Sequence, residues 1–352
     1  MIPEPKRLLL IRRDNIGDLV CTTPLIDAIR NRFPNAEISA LVTRYTRDVL
    51  ANNDSVDHVF HYTKSKHLDP DESLIGNYVS QAKLLFDLRR RSFDCCVLAA
   101  PGYQARALPI VRWIAASDVV GFVNPGKKYS SVISFPVPWI ADAGLTETED
   151  VWRLAPALGI EGKPRRLRVV PEPHLRDMLS ARTGPIRDMP GRIVGIHLSA
   201  RKPSQRWPAS NFSELLRLLH DRHRCRFILF WAPGPESDPR HPGDDEKAAA
   251  VVGGLGAVPF VALRTKQLSE LIAGISLCDD FICADGGAMH LAAALGKRLV
   301  CLFGKSNPVR WRPWSAEHRL LQMPSQEVVD IDVRLVADAY SDLISAARQF
   351  NF

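Results

Sequence analysis

Four polar loops in this sequence hold side chains of the kinds that bind or transfer charged groups. The first follows the apolar run RLLLI (7–11) and reads Arg12-Arg13-Asp14-Asn15-Ile16-Gly17-Asp18. Gly17 permits a sharp turn, and Asp18 places a carboxylate beside a helix start, where it can cap the helix or act as a general base. Both readings fit. Thr23-Pro24 suits an N-cap and first helical position, or a kink in a helix that begins earlier. A dinucleotide fingerprint is missing, because Gly17 stands alone where G-x-G-x-x-G is needed, which disfavours a nicotinamide enzyme.

The second loop, in FICADGGAMHLAAALG, runs from a strand into a helix. Gly286 and Gly287 at that helix start expose backbone N–H groups whose partial positive charge suits a phosphate. Asp285 can cap the helix or orient a ligand. His290 lies in the first turn, where the dipole disfavours a cation, so a neutral imidazole that donates one hydrogen bond is expected. The third loop, His197 to Pro208, carries Arg201, Lys202 and Arg206 beside Gln205, with Trp207 expected as a packing anchor. The fourth, Gly304 to Trp314, interleaves Arg310 and Arg312 with tryptophans. Asp69-Pro70-Asp71 and Asp330-Ile331-Asp332 have a D-x-D form, but a polar loop and a helix entry are poor settings for a metal, and no metal site is expected. H-E-x-x-H, paired C-x-x-C, G-x-S-x-G and Walker A patterns are missing too.

These loops need a frame that brings them to one edge. Short apolar runs alternate with helical patterns, as in parallel βαβ units. AEISALV (36–42), DCCVLAA (94–100), RIVGIHL (192–198), RFILFWA (226–232), DDFICA (279–284) and RLVCLF (298–303) join RLLLI as strands. Helices are expected over 25–33, 80–90, 210–222, 244–253, 267–275 and 287–295. An α/β chain of two doubly wound halves results. The proline-rich, charged stretch 162–192 places the boundary near 175–190, giving domains 1–180 and 181–332 with an amphipathic terminal helix in 333–352.

Composition agrees with this frame. The chain has 352 residues, 46% hydrophobic and 24% charged, ordinary for a globular protein. No apolar run reaches the roughly 18 residues of a membrane span, and Leu8–Ile11 is too short for a signal sequence. Seven scattered cysteines suit reduced core thiols of a cytosolic protein. The net charge of +7, with basic clusters such as Arg44 and Arg47, favours an anionic partner without choosing nucleic acid, phosphorylated metabolite or membrane.

Taken together, RLLLIRRDNIGDLVCTTPLIDAIRNRFP, HLSARKPSQRWPASNFSELL, ADGGAMHLAAALGKRLVCLFG and NPVRWRPWSAEHRLL resemble glycosyltransferase family 9, the heptosyltransferases of the lipopolysaccharide inner core. The resemblance implies a GT-B fold, two Rossmann-like domains facing a central cleft, with a terminal helix that often returns to the first domain. It implies inverting, metal-independent transfer without a cofactor, from a nucleotide sugar such as ADP-heptose to an anionic glycolipid. It implies a cytoplasmic enzyme, peripheral at the inner membrane, with no nucleic-acid partner. By position, Asp18 matches the family's proposed base. Asp285, Gly286, Gly287 and His290 match its donor site, with Gln205 and Arg206 alongside, and Arg12, Arg13, Asn15 and Gly17 fall on the acceptor side. Two departures stand out: Gly286 replaces a usual Ser or Thr, and Gln205 a usual phosphate-binding Lys. A sugar-nucleotide epimerase of similar shape and a non-catalytic glycolipid or anion-binding protein are the alternatives.

Overall fold

A computed structural model describes residues 1–63, 73–141, 144–238 and 243–346. The chain divides into two compact units, Met1–Arg168 and Val169–Phe352. In the first, the elements run β1 (Arg7–Ile11), α1 (Ile16–Arg32), β2 (Glu37–Thr43), β3 (His58–Tyr62), α2 (Leu74–Arg90), β4 (Cys95–Leu98), α3 (Leu108–Ile114), β5 (Asp118–Val123), β6 (Phe135–Pro138) and α4 (Glu147–Trp152). All strand pairs are parallel, in the order β3-β2-β1-β4-β5-β6. The chain order reverses between β1 and β4, the place where doubly wound sheets leave a ligand crevice at the carboxyl ends of the strands.

The second unit begins with α5 (Pro173–Arg187) and continues β7 (Ile193–His197), α6 (Ala209–His223), β8 (Arg226–Trp231), α7 (Asp245–Gly253), β9 (Phe260–Arg264), α8 (Leu268–Ser276), β10 (Asp280–Ala284), α9 (Gly287–Ala294), β11 (Arg298–Phe303), α10 (Pro308–Trp311), β12 (His318–Gln322) and α11 (Val333–Ala346). Its parallel sheet, β12-β11-β10-β7-β8-β9, repeats the first unit's order with the switch between β7 and β10. Central strands such as β1, β4 and β11 are apolar almost throughout, because helices cover both faces. The prolines of β6, FPVP, cannot donate to a ladder, and β6 accordingly lies at a sheet edge.

Three features differ from the sequence expectations. The units divide at 168/169 rather than 180/181, because α5 belongs wholly to the second unit: it packs on α8, and Arg182 donates to the Ala262 carbonyl at 2.8 Å. Pro173 does not break it, since it occupies the first turn, where no N–H partner is needed, after Glu172 as N-cap, and Pro185 falls in the last turn. The terminal helix α11 is also part of the second unit, its apolar face packed on α6, β11 and β12; residues 347–352 lie outside the described residues. Finally, α1 starts at Ile16 and continues through Pro24. Pro24 leaves the Val20 carbonyl without its usual donor, and the Thr23 hydroxyl supplies one at 2.7 Å.

All seven cysteines are buried and none forms a disulfide, and burial pushes the Cys21 and Cys96 thiols up to about 12. Asp280 is the buried exception in an apolar strand. Arg192 and Tyr340 donate to its Oδ2 at 2.5 and 2.9 Å, and Arg298 to its Oδ1 at 2.8 Å, so one carboxylate fastens β10 to α11. Replacing it by alanine strands two guanidiniums and a hydroxyl around an apolar strand, so Asp280→Ala lowers the unfolding free energy by about 3–5 kcal/mol in urea titrations. A loss below about 1 kcal/mol would show that the cluster contributes little.

Candidate functional site

In the first unit, the rim at the carboxyl end of β1 is organised by Arg12. Its side chain is 1% exposed, with Nη1 donating to Ala99 O at 2.6 Å, Nη2 to Glu147 at 2.6 Å and facing Asp18 Oδ1 at 3.2 Å, and Nε 3.2 Å from Asp14. Burial opposes this charge most strongly, yet Glu147, Asp18 and Asp14 together hold the guanidinium above its ordinary value. Arg12 is therefore a support for the rim's carboxylates, with Nη1 and Nη2 engaged inside the protein. Gly17 departs from expectation: it sits buried in the first turn of α1 without positive φ, and the bend falls instead at Asp14, before the exposed, extended N-cap Asn15.

Asp18 lies at the third position of α1, and its Oδ2 accepts from the Asn15 backbone N–H at 2.8 Å and the Asn15 side chain at 2.9 Å. It does cap the helix. Capping fills both lone pairs of Oδ2, while Oδ1 faces only Arg12 and keeps one lone pair; the side chain remains 12% exposed. Arg13 is more open. Its Nε donates to Tyr62 Oη at 2.6 Å, with the guanidinium over the Tyr62 ring.

In the second unit, Gly286 is the N-cap of α9, and no side chain caps that helix. Open space surrounds Gly286, with no atom within 4 Å of where a Cβ would stand. Asp285 does not cap it. Its Oδ2 instead accepts from Gln205 Nε2 at 2.8 Å, and the same amide nitrogen reaches Ser306 Oγ at 3.1 Å. Gln205 thus clamps the loop after β7 to those after β10 and β11. Gly304 permits the approach, since a Cβ there would overlap the Ser204 carbonyl, and Gln322 donates to Gly304 O at 2.7 Å and Ser306 O at 3.0 Å. His290 is buried, its ring edge-on to Trp311 at 6.1 Å. Arg206, the nearest cation in sequence, donates to Ala200 O and pairs with Glu236 at 2.6 Å. Trp207 is a buried anchor, bonded to Ile331 O at 3.0 Å.

The hydrogen bonds therefore bring together Gln205, Asp285 and Ser306, and separately Asn15, Asp18, Arg12 and Glu147. They do not tie Arg206 to Asp285. Sequence reasoning missed Glu147 and Gln322, which carry no motif and become partners only through folding, and it held Ser306 only as one residue of the fourth loop. Of the two D-x-D runs, 69–71 lies outside the described residues, and Asp332 accepts from the Arg334 amide at the start of α11. Among the described residues no cluster of three or more His, Cys, Asp or Glu has metal-binding geometry.

A titratable group also lies at the end of β7. Burial drives the His197 imidazole down to about 4, against the opposing pull of Asp244 and the Ser199 backbone. The unfolded chain takes up this proton near the ordinary value of 6.5, so between 6.5 and about 4 the unfolded state binds more protons and stability falls as pH falls. Urea midpoints measured from neutral pH to pH 4 should decline, and His197→Asn should flatten the decline. An equal slope in the variant would assign the effect elsewhere.

Residues 83–333 match the family described as Glycosyltransferase family 9 (heptosyltransferase). Lipopolysaccharide heptosyltransferase 3 of Escherichia coli is 24% identical over 305 residues, covering 85% of this chain and 84% of that protein. Among solved structures, a glycosyl transferase family 9 protein from Veillonella parvula aligns with a TM-score of 0.80 at 18% identity, covering 97% of each chain. An Escherichia coli heptosyltransferase with ADP-2-deoxy-2-fluoro heptose aligns with a TM-score of 0.73 at 16% identity, over 96% of this chain and 99% of that one.

Proposed function

The chain belongs to glycosyltransferase family 9, the heptosyltransferases, and from that premise we propose that it moves a heptose from an ADP-linked donor to a lipopolysaccharide core acceptor by a single inverting displacement, without a bound metal or cofactor. The observation that carries this reading is the uncapped start of α9 at Gly286 and Gly287, beside an Asp285 held in place by Gln205. An α/β sheet presents such a helix start to a diphosphate, and a relative of the same fold holds an ADP-heptose analogue.

In the proposed reaction, the acceptor hydroxyl gives its proton to Asp18 Oδ1, the oxygen with a lone pair to spare. Its oxygen bonds the sugar's anomeric carbon as the bond from that carbon to the diphosphate breaks. The departing electron pair stays on the diphosphate, where the Gly286 and Gly287 amides and His290 stabilise it. Asp285 accepts hydrogen bonds from donor hydroxyls with the oxygen that Gln205 leaves open. Arg206 adds charge once it exchanges Glu236 for phosphate. Arg13 and Asn15, on the open side of the rim, meet the acceptor.

The lipid-linked acceptor gives a role to the exposed apolar face of α2. Ile75, Tyr78, Val79 and Phe86 stand exposed there with Lys83, Arg89 and Arg90 on the same helix, the combination of an interfacial helix on an anionic membrane. No described helix is long and apolar enough to cross one.

Asp18→Asn should lower turnover by about 10²-fold to 10⁴-fold with ADP affinity unchanged, and near-normal turnover would remove Asp18 as base. His290→Ala should weaken ADP binding about tenfold by calorimetry, whereas unchanged affinity would take His290 out of the donor site. Binding to phosphatidylglycerol vesicles should fall sharply between about 0.1 M and 1 M salt. Salt-indifferent binding would contradict electrostatic docking.

A further inference from the structure

Arg12 Nη2 is divided between two carboxylates, and the division is unequal: Glu147 Oε1 lies at 2.6 Å and Asp18 Oδ1 at 3.2 Å. We propose that Glu147 is a positioning residue for the transfer, holding Arg12 back so that Asp18 Oδ1 keeps a lone pair for the proton of the acceptor hydroxyl. The assignment rests on the reading of Asp18 as base, and it adds the residue that preserves that capacity.

Glu147 is too enclosed to meet substrate itself. Its side chain is 2% exposed, against 12% for Asp18, so of the two only Asp18 presents an oxygen at the rim. Nor is Glu147 spent on its own helix. It occupies the first position of α4, which Thr146 and Glu149 cap reciprocally: the Thr146 N–H donates to Glu149 Oε2 at 2.8 Å, and the Glu149 N–H to Thr146 Oγ1 at 3.2 Å. Because α4 packs against α1, Glu147 is fixed relative to the helix that carries Asp18.

The charges around the guanidinium show what Glu147 contributes. Asp14 approaches Nε at 3.2 Å from a side chain that is 41% exposed, where water screens it, whereas Glu147 is buried. Among the carboxylates that offset the burial of Arg12, Glu147 comes first, ahead of Asp18 and Asp14. Cys21 of α1 adds no charge, because burial pushes its thiol up to about 12. With Glu147 neutralised, Asp18 would be the carboxylate left on Nη2. The guanidinium would then close on Oδ1, occupy the lone pair that the Asn15 cap leaves over, and hold the carboxylate in its charged form, which makes it a weaker base.

The test follows transfer from ADP-heptose to a lipopolysaccharide core acceptor across pH, in the full-length wild type, Glu147→Gln and Glu147→Asp, with Asp18→Asn alongside. Glu147→Gln keeps the shape and an oxygen for Arg12 but removes the charge. It should lower kcat about tenfold, leave the KM for ADP-heptose near the wild-type value, and move the acid limb of the kcat profile to lower pH, with half-maximal rate at about tenfold higher proton concentration. Glu147→Asp restores the charge and should return the limb to its wild-type place. An unmoved limb in Glu147→Gln would overturn the proposal even if turnover fell, because a purely structural defect slows the enzyme without changing the titration of its base. If Glu147→Gln does not fold, as judged by circular dichroism, Asp14→Asn removes a carboxylate from the same guanidinium at an exposed position. The limb should then move in the same direction by a smaller amount, and a stationary limb would overturn the charge balance. Near-normal turnover by Asp18→Asn is a separate failure, since it would remove the base reading on which this role rests.

Discussion

A buried guanidinium among three carboxylates sets the geometry of the first unit. Arg12 leaves β1 and binds Ala99 after β4, Glu147 at the start of α4 and Asp18 in the first turn of α1. Neither charge could stay in that setting without the other, since an unpaired buried ion is far more costly than a paired one. The Asn15 contacts cap α1 through Asp18 Oδ2, while Arg12 faces Oδ1. In the proposed reaction capping and proton transfer would share one carboxylate, divided between its two oxygens.

The second unit solves the corresponding problem with neutral groups. Gln205 holds Asp285 and Ser306, so the loop is locked by an amide rather than an ion pair. The start of α9 carries no side-chain cap, and in the proposed function its amides are the fixed positive element beneath the diphosphate. Fixed dipoles need no reorganisation when charge develops on a leaving group, which suits a reaction assigned to backbone amides. The nearby cation, Arg206, is held by Glu236 and would join only by exchanging partners.

Much of this was legible in the sequence where burial leaves a plain signal. Strands covered on both faces, such as β1, β10 and β11, read as apolar runs, and the succession of strand, glycine pair and helix at 280–294 was plain. Edge strands were not legible: HVFHY, FPVP and HRLLQ carry polar residues or prolines that an exposed edge tolerates. The start of α1 was obscured because Thr23-Pro24 looks like a helix beginning, and only the fold shows Thr23 replacing the donor that Pro24 lacks. Asp285 could be read as a cap or as a ligand-orienting group, and its partner Gln205 was not legible because it lies 80 positions away. Arg12 was placed on the acceptor side, and its bond to Glu147 was not legible because the two lie 135 positions apart.

The claim that one carboxylate, Asp18, assists a single displacement is tested most directly by stereochemistry. Proton NMR of the anomeric centre, recorded on the ADP-heptose donor and on the product formed with a lipopolysaccharide core acceptor, gives the configuration before and after transfer. Inversion is the expected result. A product that keeps the donor's configuration would require two displacements and a second nucleophile, and would contradict the mechanism.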